Sequence, residues 1–283
     1  MFQASRVIDG LLSDEVTTRL EEIAYSLNEQ YQFAKPFPHI IIDDFLPAEL
    51  LEPLLDQFPK PGQVTWREFD NDNEKKLEFS KAESMPTDIR DFLYFLNCRV
   101  MLEFLERLTG IDALIPDPYF GGGGLHEIER GGKLEVHADF NWLDKLRLDR
   151  RLNLLLYLNK DWREEYGGHL ELWSRDMTEC VKKVLPIFNR CVIFSTTDYA
   201  FHGHPLPLTC PAGQTRKSIA TYYYTNGRPE EEKSSPHSTL FQRRTGGTSE
   251  NQSNGVRMVK SVVRSIVPPI ILDGYRFVRD RRQ

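Results

Sequence analysis

Between Ala113 and Asn226 the chain reads as short strands punctuated by glycine, and that run constrains the fold more than any other feature. Leu125–Glu129, the stretch through His137, Arg151–Asn159, His169–Trp173, Val184–Phe188, Cys191–Ser195 and Arg216–Thr225 are the predicted strands. Turn signals such as Gly131-Gly132 and Gly167-Gly168 separate them. Many short strands of this kind stack or close into a sandwich or barrel. The four-glycine run Gly121–Gly124 is followed by no Lys-Ser/Thr and no helical pattern. It therefore predicts a bend where backbones approach closely, not a phosphate loop.

The preceding third is helical. Ser13 is an N-cap, and Val16, Leu20, Ile23, Leu27 and Tyr31 repeat at helical spacing across 14–31. His39–Ile42 predicts a buried strand, and Pro47 opens a helix through Phe58. Residues 62–86 are polar and acidic and predict an irregular surface segment; Thr87–Leu108 predicts one long helix stopped by Gly110. The organisation that follows is an N-terminal helical support region (1–112), a strand-rich core (113–226), a polar linker (227–255) and a basic amphipathic segment (256–283). The expected fold is α+β: a jelly roll, or double-stranded β-helix, buttressed by N-terminal helices, with a C-terminal helical extension.

Charge and cysteine usage narrow the partners and the setting. A net charge of −6 argues against nucleic-acid binding. Cys98, Cys180, Cys191 and Cys210 form no C-x-x-C pair, so they are expected as free thiols in a reducing compartment. No apolar run approaches membrane-spanning length, and the expected location is cytoplasmic. The tail 256–283 carries seven basic residues against Asp273 and Asp280. Its valine face can pack on the core; its basic face can instead dock on an anionic membrane surface or an acidic partner.

The chemistry concentrates in Glu135–Asn141, where His137 and Asp139 are two residues apart. On a strand, residues i and i+2 share a face, so an imidazole and a carboxylate can meet at one point. A third ligand such as His202 would complete a 2-His-1-carboxylate triad, the donor set of non-haem ferrous iron. His204, two residues on, can also reach the pocket.

The ordered set of motifs from His137 to Thr225 resembles the iron(II)- and 2-oxoglutarate-dependent oxygenases of the prolyl 4-hydroxylase superfamily. It runs through His137-Ala138-Asp139, Tyr157–Trp162, Gly167-Gly168-His169-Leu170, Phe188-Asn189-Arg190, Ile193-Phe194-Ser195, the His202 region and Arg216-Lys217-Ser218. The entry Pro36–Leu51 is similar too. The resemblance implies Fe(II) held by His137, Asp139 and His202, with 2-oxoglutarate and O2 as co-substrates. It also implies that Arg216 and Ser218 clamp the far carboxylate of 2-oxoglutarate, with a hydrogen bond from Tyr157. A carboxylate at 139, where related halogenases have a small residue, implies hydroxylation of a C–H bond. The chain departs from the prolyl hydroxylases in one respect: the interval from His202 to Arg216 is longer, which leaves His202 and His204 both open as the distal ligand.

The substrate is a small molecule or a peptidyl residue, and His126, Asn141 and Trp142 are the expected lining of the mouth. The competing expectation is a non-catalytic, cupin-like metal-binding sensor. The Arg-x-Ser pair counts against it, since such a protein has no need of a carboxylate clamp.

Overall fold

A computed structural model describes residues 6–60 and 62–242. Five α-helices are described: α1 (Arg6–Leu11), α2 (Asp14–Gln32), α3 (Ala48–Asp56), α4 (Thr87–Leu96) and α5 (Arg99–Thr109). The strands are β1 (His39–Ile42), β2 (Arg67–Asp70), β3 (Glu74–Phe79), β4 (Ile115–Pro116), β5 (Gly124–Ile128), β6 (Lys133–Ala138) and β7 (Trp142–Leu143). They continue with β8 (Leu148–Tyr157), β9 (Leu170–Trp173), β10 (Cys180–Val184), β11 (Cys191–Ser195), β12 (His202–His204), β13 (Arg216–Thr225) and β14 (Leu240–Phe241).

All pairings are antiparallel, and the path β1-β11-β8-β13-β5-β3-β6-β12-β9-β10 curls into a nearly closed barrel. This is the expected jelly roll with helical buttress; the helical extension expected over 256–283 lies outside the described residues.

Alternation along the long strands sorts the molecule into two environments. Leu152, Leu154 and Leu156 of β8, with Ile219 and Tyr223 of β13, face outward. There they join Val16, Leu20, Phe92, Leu93, Phe104 and Leu108 of the helices in one core. The opposite face of the same strands carries Asn153, Tyr157, Arg216 and Ser218, all buried. One face is thus an ordinary apolar core and the other lines a polar interior.

Three expectations are corrected. Residues 62–86 are not an irregular surface segment: β2 and β3 form a hairpin, and β3 bridges β5 and β6. The helix expected over 87–108 is two helices. Asn97 ends α4, Cys98 is extended at the start of α5, and the Asn97 amide donates to the Asp117 carbonyl (2.8 Å), tying the break to the barrel. The strand expected at Val184–Phe188 ends at Val184 and begins at Cys180. Its exposed Lys182 and Lys183 suit the terminal strand of a sheet, and Pro186, without an N–H, cannot extend it.

The four-glycine run is the close approach anticipated for it. Gly124 has φ +85°, and a Cβ there would lie 2.4 Å from the Phe79 carbonyl of β3. Any side chain would push β3 off β5.

Candidate active site

His137 sits on β6 and His202 on β12, which are directly paired at those two residues. Their rings lie 4.5 Å apart between centroids. Asp139 follows β6 by one residue, and its carboxylate oxygens are 3.6 Å from His137 Nε2 and 3.5 Å from His202 Nε2. One ligand atom from each of the three residues falls within 4.8 Å of the other two. The sequence's H-x-D pair and one of its two distal candidates are therefore brought together. His204 is not in this cluster among the described residues.

The atoms that do not face the cluster are tied down. His137 Nδ1 donates to the Glu135 carbonyl (2.8 Å) and His202 Nδ1 to the Ala200 carbonyl (2.9 Å). Each bond selects the tautomer whose Nε2 carries the lone pair, as second-shell partners of metal-binding histidines do. Burial, then repulsion from His137, pushes His202 down to about 4. It is neutral and competent as a ligand at neutral pH. Burial alone would push the Asp139 carboxyl up; Arg150, His202 and His137 together hold it well below the usual carboxylate range. Two imidazole nitrogens and a carboxylate are the donor set that suits a ferrous ion.

Arg150 and Asn153 complete this end of the interior, and the sequence reading missed both. Arg150 Nη2 lies 3.0 Å from Asp139 Oδ2, and Asn153 Nδ2 donates to the same oxygen at 2.6 Å. Arg150 also donates to Asn153 Oδ1 (2.7 and 3.0 Å) and lies over the rings of Tyr222 (3.6 Å) and Phe140 (4.3 Å). A β-bulge puts it there. Tyr223 pairs with Leu152 and Tyr224 with Arg150, so Arg151 has no partner in the ladder. The extra residue reverses alternation and turns Arg150 inward. The polar Asn153 within Leu152–Leu156 was the one signal available in the sequence.

Further into the barrel, Arg216 is buried on β13, with Tyr157 across on β8. Its Nη2 donates to Tyr157 Oη (3.2 Å) and its Nε to the Gly168 carbonyl (2.9 Å). Gly168, at φ +72°, permits that approach, since a Cβ there would lie 3.0 Å from Arg216 Cδ and 2.6 Å from Leu208 Cδ2. Burial pushes the Tyr157 phenol up, so it stays protonated. Ser218 pairs with Tyr157 on one side and His126 on the other, and it is buried. A guanidinium, a phenol and a hydroxyl on one concave face are groups that could receive an anion. Lys76 of β3, absent from the sequence reading, is ion-paired with Glu74 (3.1 Å) and is one of the groups that lower the His126 pKa.

The three mouth candidates separate. His126 faces the interior: its Nε2 meets the Gly122 carbonyl (3.1 Å), and burial, Lys76 and Arg216 hold it down at about 3. Asn141 is occupied elsewhere, donating to Ser234 Oγ (2.8 Å) and the Ser235 carbonyl (3.1 Å) and accepting from His237 N (2.9 Å). Trp142 lies in β7, paired with Asp149.

Those bonds from Asn141 anchor residues 233–242, a stretch within the expected linker, across the end of the metal strand. Leu240 and Phe241 pair with Ala138 and His137, and the Phe241 ring lies 5.5 Å from the His137 ring. The amide of Gln242 donates to Val136 (2.8 Å), and His237 Nε2 meets Asp198 at 2.8 Å.

The family model described as the 2OG-Fe(II) oxygenase superfamily matches residues 123–224. The fold is similar to that of a Pseudomonas putida prolyl-4-hydroxylase, with a TM-score of 0.50 and 16% identity over 75% of this chain and 100% of that one. It is also similar to a Trichoplax adhaerens prolyl hydroxylase in complex with a hypoxia inducible factor peptide fragment. There the TM-score is 0.53, with 17% identity over 76% of this chain and 95% of the other. A looser likeness, TM-score 0.49 and 10% identity over 75% and 96%, is to HygX from Streptomyces hygroscopicus with nickel, 2-oxoglutarate and hygromycin B bound. No curated protein sequence matches the chain.

Proposed function

We propose that this chain, whose residues 123–224 are a 2OG-Fe(II) oxygenase domain, hydroxylates a C–H bond of a peptidyl residue or small molecule. The observation that carries this reading is the pairing of two sites on one concave face. His137, Asp139 and His202 converge at one end, and a buried Arg216 with Tyr157 lies deeper.

His137, Asp139 and His202 hold the metal, and Arg216, Tyr157 and Ser218 bind the far carboxylate of 2-oxoglutarate. Iron with 2-oxoglutarate and O2 supplies the oxidising power, one oxygen atom entering the C–H bond and the other leaving in succinate, with loss of CO2. The protein's own residues do the rest. Glu135 and Ala200 fix the two imidazoles, Arg150 and Asn153 hold Asp139 ionised and oriented, and the apolar shell excludes bulk water. His126, on the interior face, is the substrate-side residue. The free cysteines among the described residues fit a reducing, cytoplasmic setting.

The test is oxygen-dependent succinate release over a panel of prolyl peptides, amino acids and sugars, followed by mass spectrometry of the consumed substrate. The expected product is heavier by one oxygen. An iron-loaded protein that does not bind 2-oxoglutarate would return the chain to the cupin-like sensor reading.

A further inference from the structure

Each imidazole of the candidate metal site is flanked by one phenylalanine ring, and the two rings are held differently. Phe194 of β11 lies 4.6 Å from the His202 ring and is fully buried in a cluster with Phe37, Leu172 and Val192. Phe241 of β14 lies 5.5 Å from the His137 ring, tilted by 46°, and is only partly buried.

Register fixes where the Phe241 ring points. Phe241 pairs with His137 and Leu240 with Ala138, and directly paired residues share a face of the sheet. Leu240 accordingly packs with Val136, Ala138 and Phe201 on one side of β6. Phe241 is on the other side, in a row with His137 and, across the next pairing, His202. β3 pairs with β6 at Lys133 and Leu134, and β14 takes its place beside the ligand. Asp139 stands one residue past the end of β6, so the three ligands meet at the end that β14 flanks. Arg216 and Tyr157, the groups assigned to the co-substrate, are on β13 and β8, which do not pair with β6. A partly open ring beside a metal ligand, on a strand separate from the co-substrate's anchor, is placed to meet the other guest of the chamber.

The strand that carries this ring is held by bonds that do not involve it. The Gln242 amide donates to the Val136 carbonyl (2.8 Å), Asn141 donates to Ser234 and Ser235, and His237 meets Asp198 (2.8 Å). The ring itself offers neither a donor nor an acceptor. A charged or hydroxylated group laid against it gives up water without replacement, whereas hydrocarbon surface gains from the burial.

We infer that Phe241 is a specificity-determining residue: its ring is the wall against which the C–H-bearing part of the substrate lies, and that part is an apolar ring or chain. This rests on the reading of the domain as a 2-oxoglutarate oxygenase. It puts a determinant of substrate choice outside residues 123–224, the part that the family model matches.

The experiment uses the full chain with Fe(II), 2-oxoglutarate and O2 on a panel of prolyl peptides, leucyl peptides, free charged amino acids and sugars. Fe(II) and 2-oxoglutarate affinities are measured separately, without oxygen, from the visible absorption of the complex. Wild type should hydroxylate a compound whose reacting carbon is on a hydrocarbon ring or chain. In Phe241→Ala the KM for that compound should rise about tenfold, the usual size of a lost aromatic contact. Succinate should also form in excess of hydroxylated product, since a misplaced C–H bond no longer captures the oxygen. Fe(II) and 2-oxoglutarate affinities should match wild type, and Phe241→Leu, which keeps apolar surface, should restore most of the coupling.

Unchanged KM and coupling in Phe241→Ala would overturn the assignment. Lost Fe(II) affinity would overturn it too, by making the ring a support for His137. Hydroxylation of charged amino acids or sugars alone would overturn the substrate class. A second measurement needs neither a substrate nor a variant. With no guest present, 2-oxoglutarate and O2 should yield succinate and CO2, with the remaining oxygen atom inserted into a ring C–H bond of Phe241. Mass spectrometry of the tryptic peptide 234–243 reads this as a gain of one oxygen. Oxygen at Phe241 supports the assignment, and succinate formed with that peptide unmodified overturns it. Wild-type protein that binds Fe(II) but no 2-oxoglutarate would sink the oxygenase reading, and this assignment with it.

Discussion

The two ends of the barrel interior are built by opposite rules. At the metal end the outward atoms have partners: Glu135 and Ala200 hold the imidazoles, and Arg150 and Asn153 hold the carboxylate. At the deeper end Arg216 has a phenol and a carbonyl but, among the described residues, no carboxylate. The contrast follows from what each end receives. A small cation needs rigid ligands at fixed spacing, so the protein completes everything except the coordination point. An anionic guest would bring its own acceptors, which suits a guanidinium with neutral partners alone.

The largest expected effect breaks the contrast at the metal. Asp139→Ala should abolish Fe(II) binding and turnover and also destabilise the metal-free fold. It strands a buried Arg150, and an unpaired buried charge typically costs about 3–5 kcal/mol. His137→Ala should abolish turnover while leaving thermal stability near wild type. Comparable melting temperatures for the two variants without metal would show that Arg150 does not depend on Asp139.

The second effect falls on the other end. Arg216→Ala should weaken 2-oxoglutarate binding by about 2–5 kcal/mol, the usual result of truncating one partner of a desolvated charge pair. Arg216→Lys should recover only part of it, since the fork is lost. Titration of succinate release against 2-oxoglutarate reads this directly, and an unshifted curve for Arg216→Ala removes the clamp.

A smaller effect tests whether the arginine behind the carboxylate matters to the metal. Arg150→Met keeps the bulk between Phe140 and Tyr222 but frees one side of Asp139. Fe(II) affinity should fall about 10–100-fold, as for other second-shell losses, with the site still formed. Metal titration that matches wild type would reduce Arg150 to a packing residue.

The smallest effect concerns pH. Burial holds His126 at about 3, against 6.5 in the unfolded chain. The unfolded state therefore binds the extra proton between those values. Stability from this residue is complete above about pH 6.5 and drains as pH falls toward 3. His126→Gln should flatten that part of the unfolding free energy against pH; a slope as steep as wild type assigns the acid sensitivity to other groups.

Much of this was legible in the sequence because the long strands alternate cleanly. His137 with Asp139, and Arg216 with Ser218, share a face by period two, and the leucines of β8 marked the face that takes the helices. What was not legible has two physical causes. A strand whose inner face meets a polar cavity reads as solvent-exposed, which hid β3 and Lys76 among the charges of 62–86. A bulge inverts alternation without altering composition, which hid Arg150. The stretch 233–242 was hidden in the same way as β3, since its lysine, serines and proline gave no sign of a strand.

That stretch has a mechanical consequence. Among the described residues, the C-terminal bonds are to the strand that carries His137: Leu240 and Phe241 on Ala138 and His137, and the Gln242 amide on Val136. Tension applied at Gln242 itself is borne first by that short ladder, with the Asn141 side chain as the next anchor. A carrier or affinity tag fused after Gln242 therefore pulls on the metal strand before it loads any other part of the barrel.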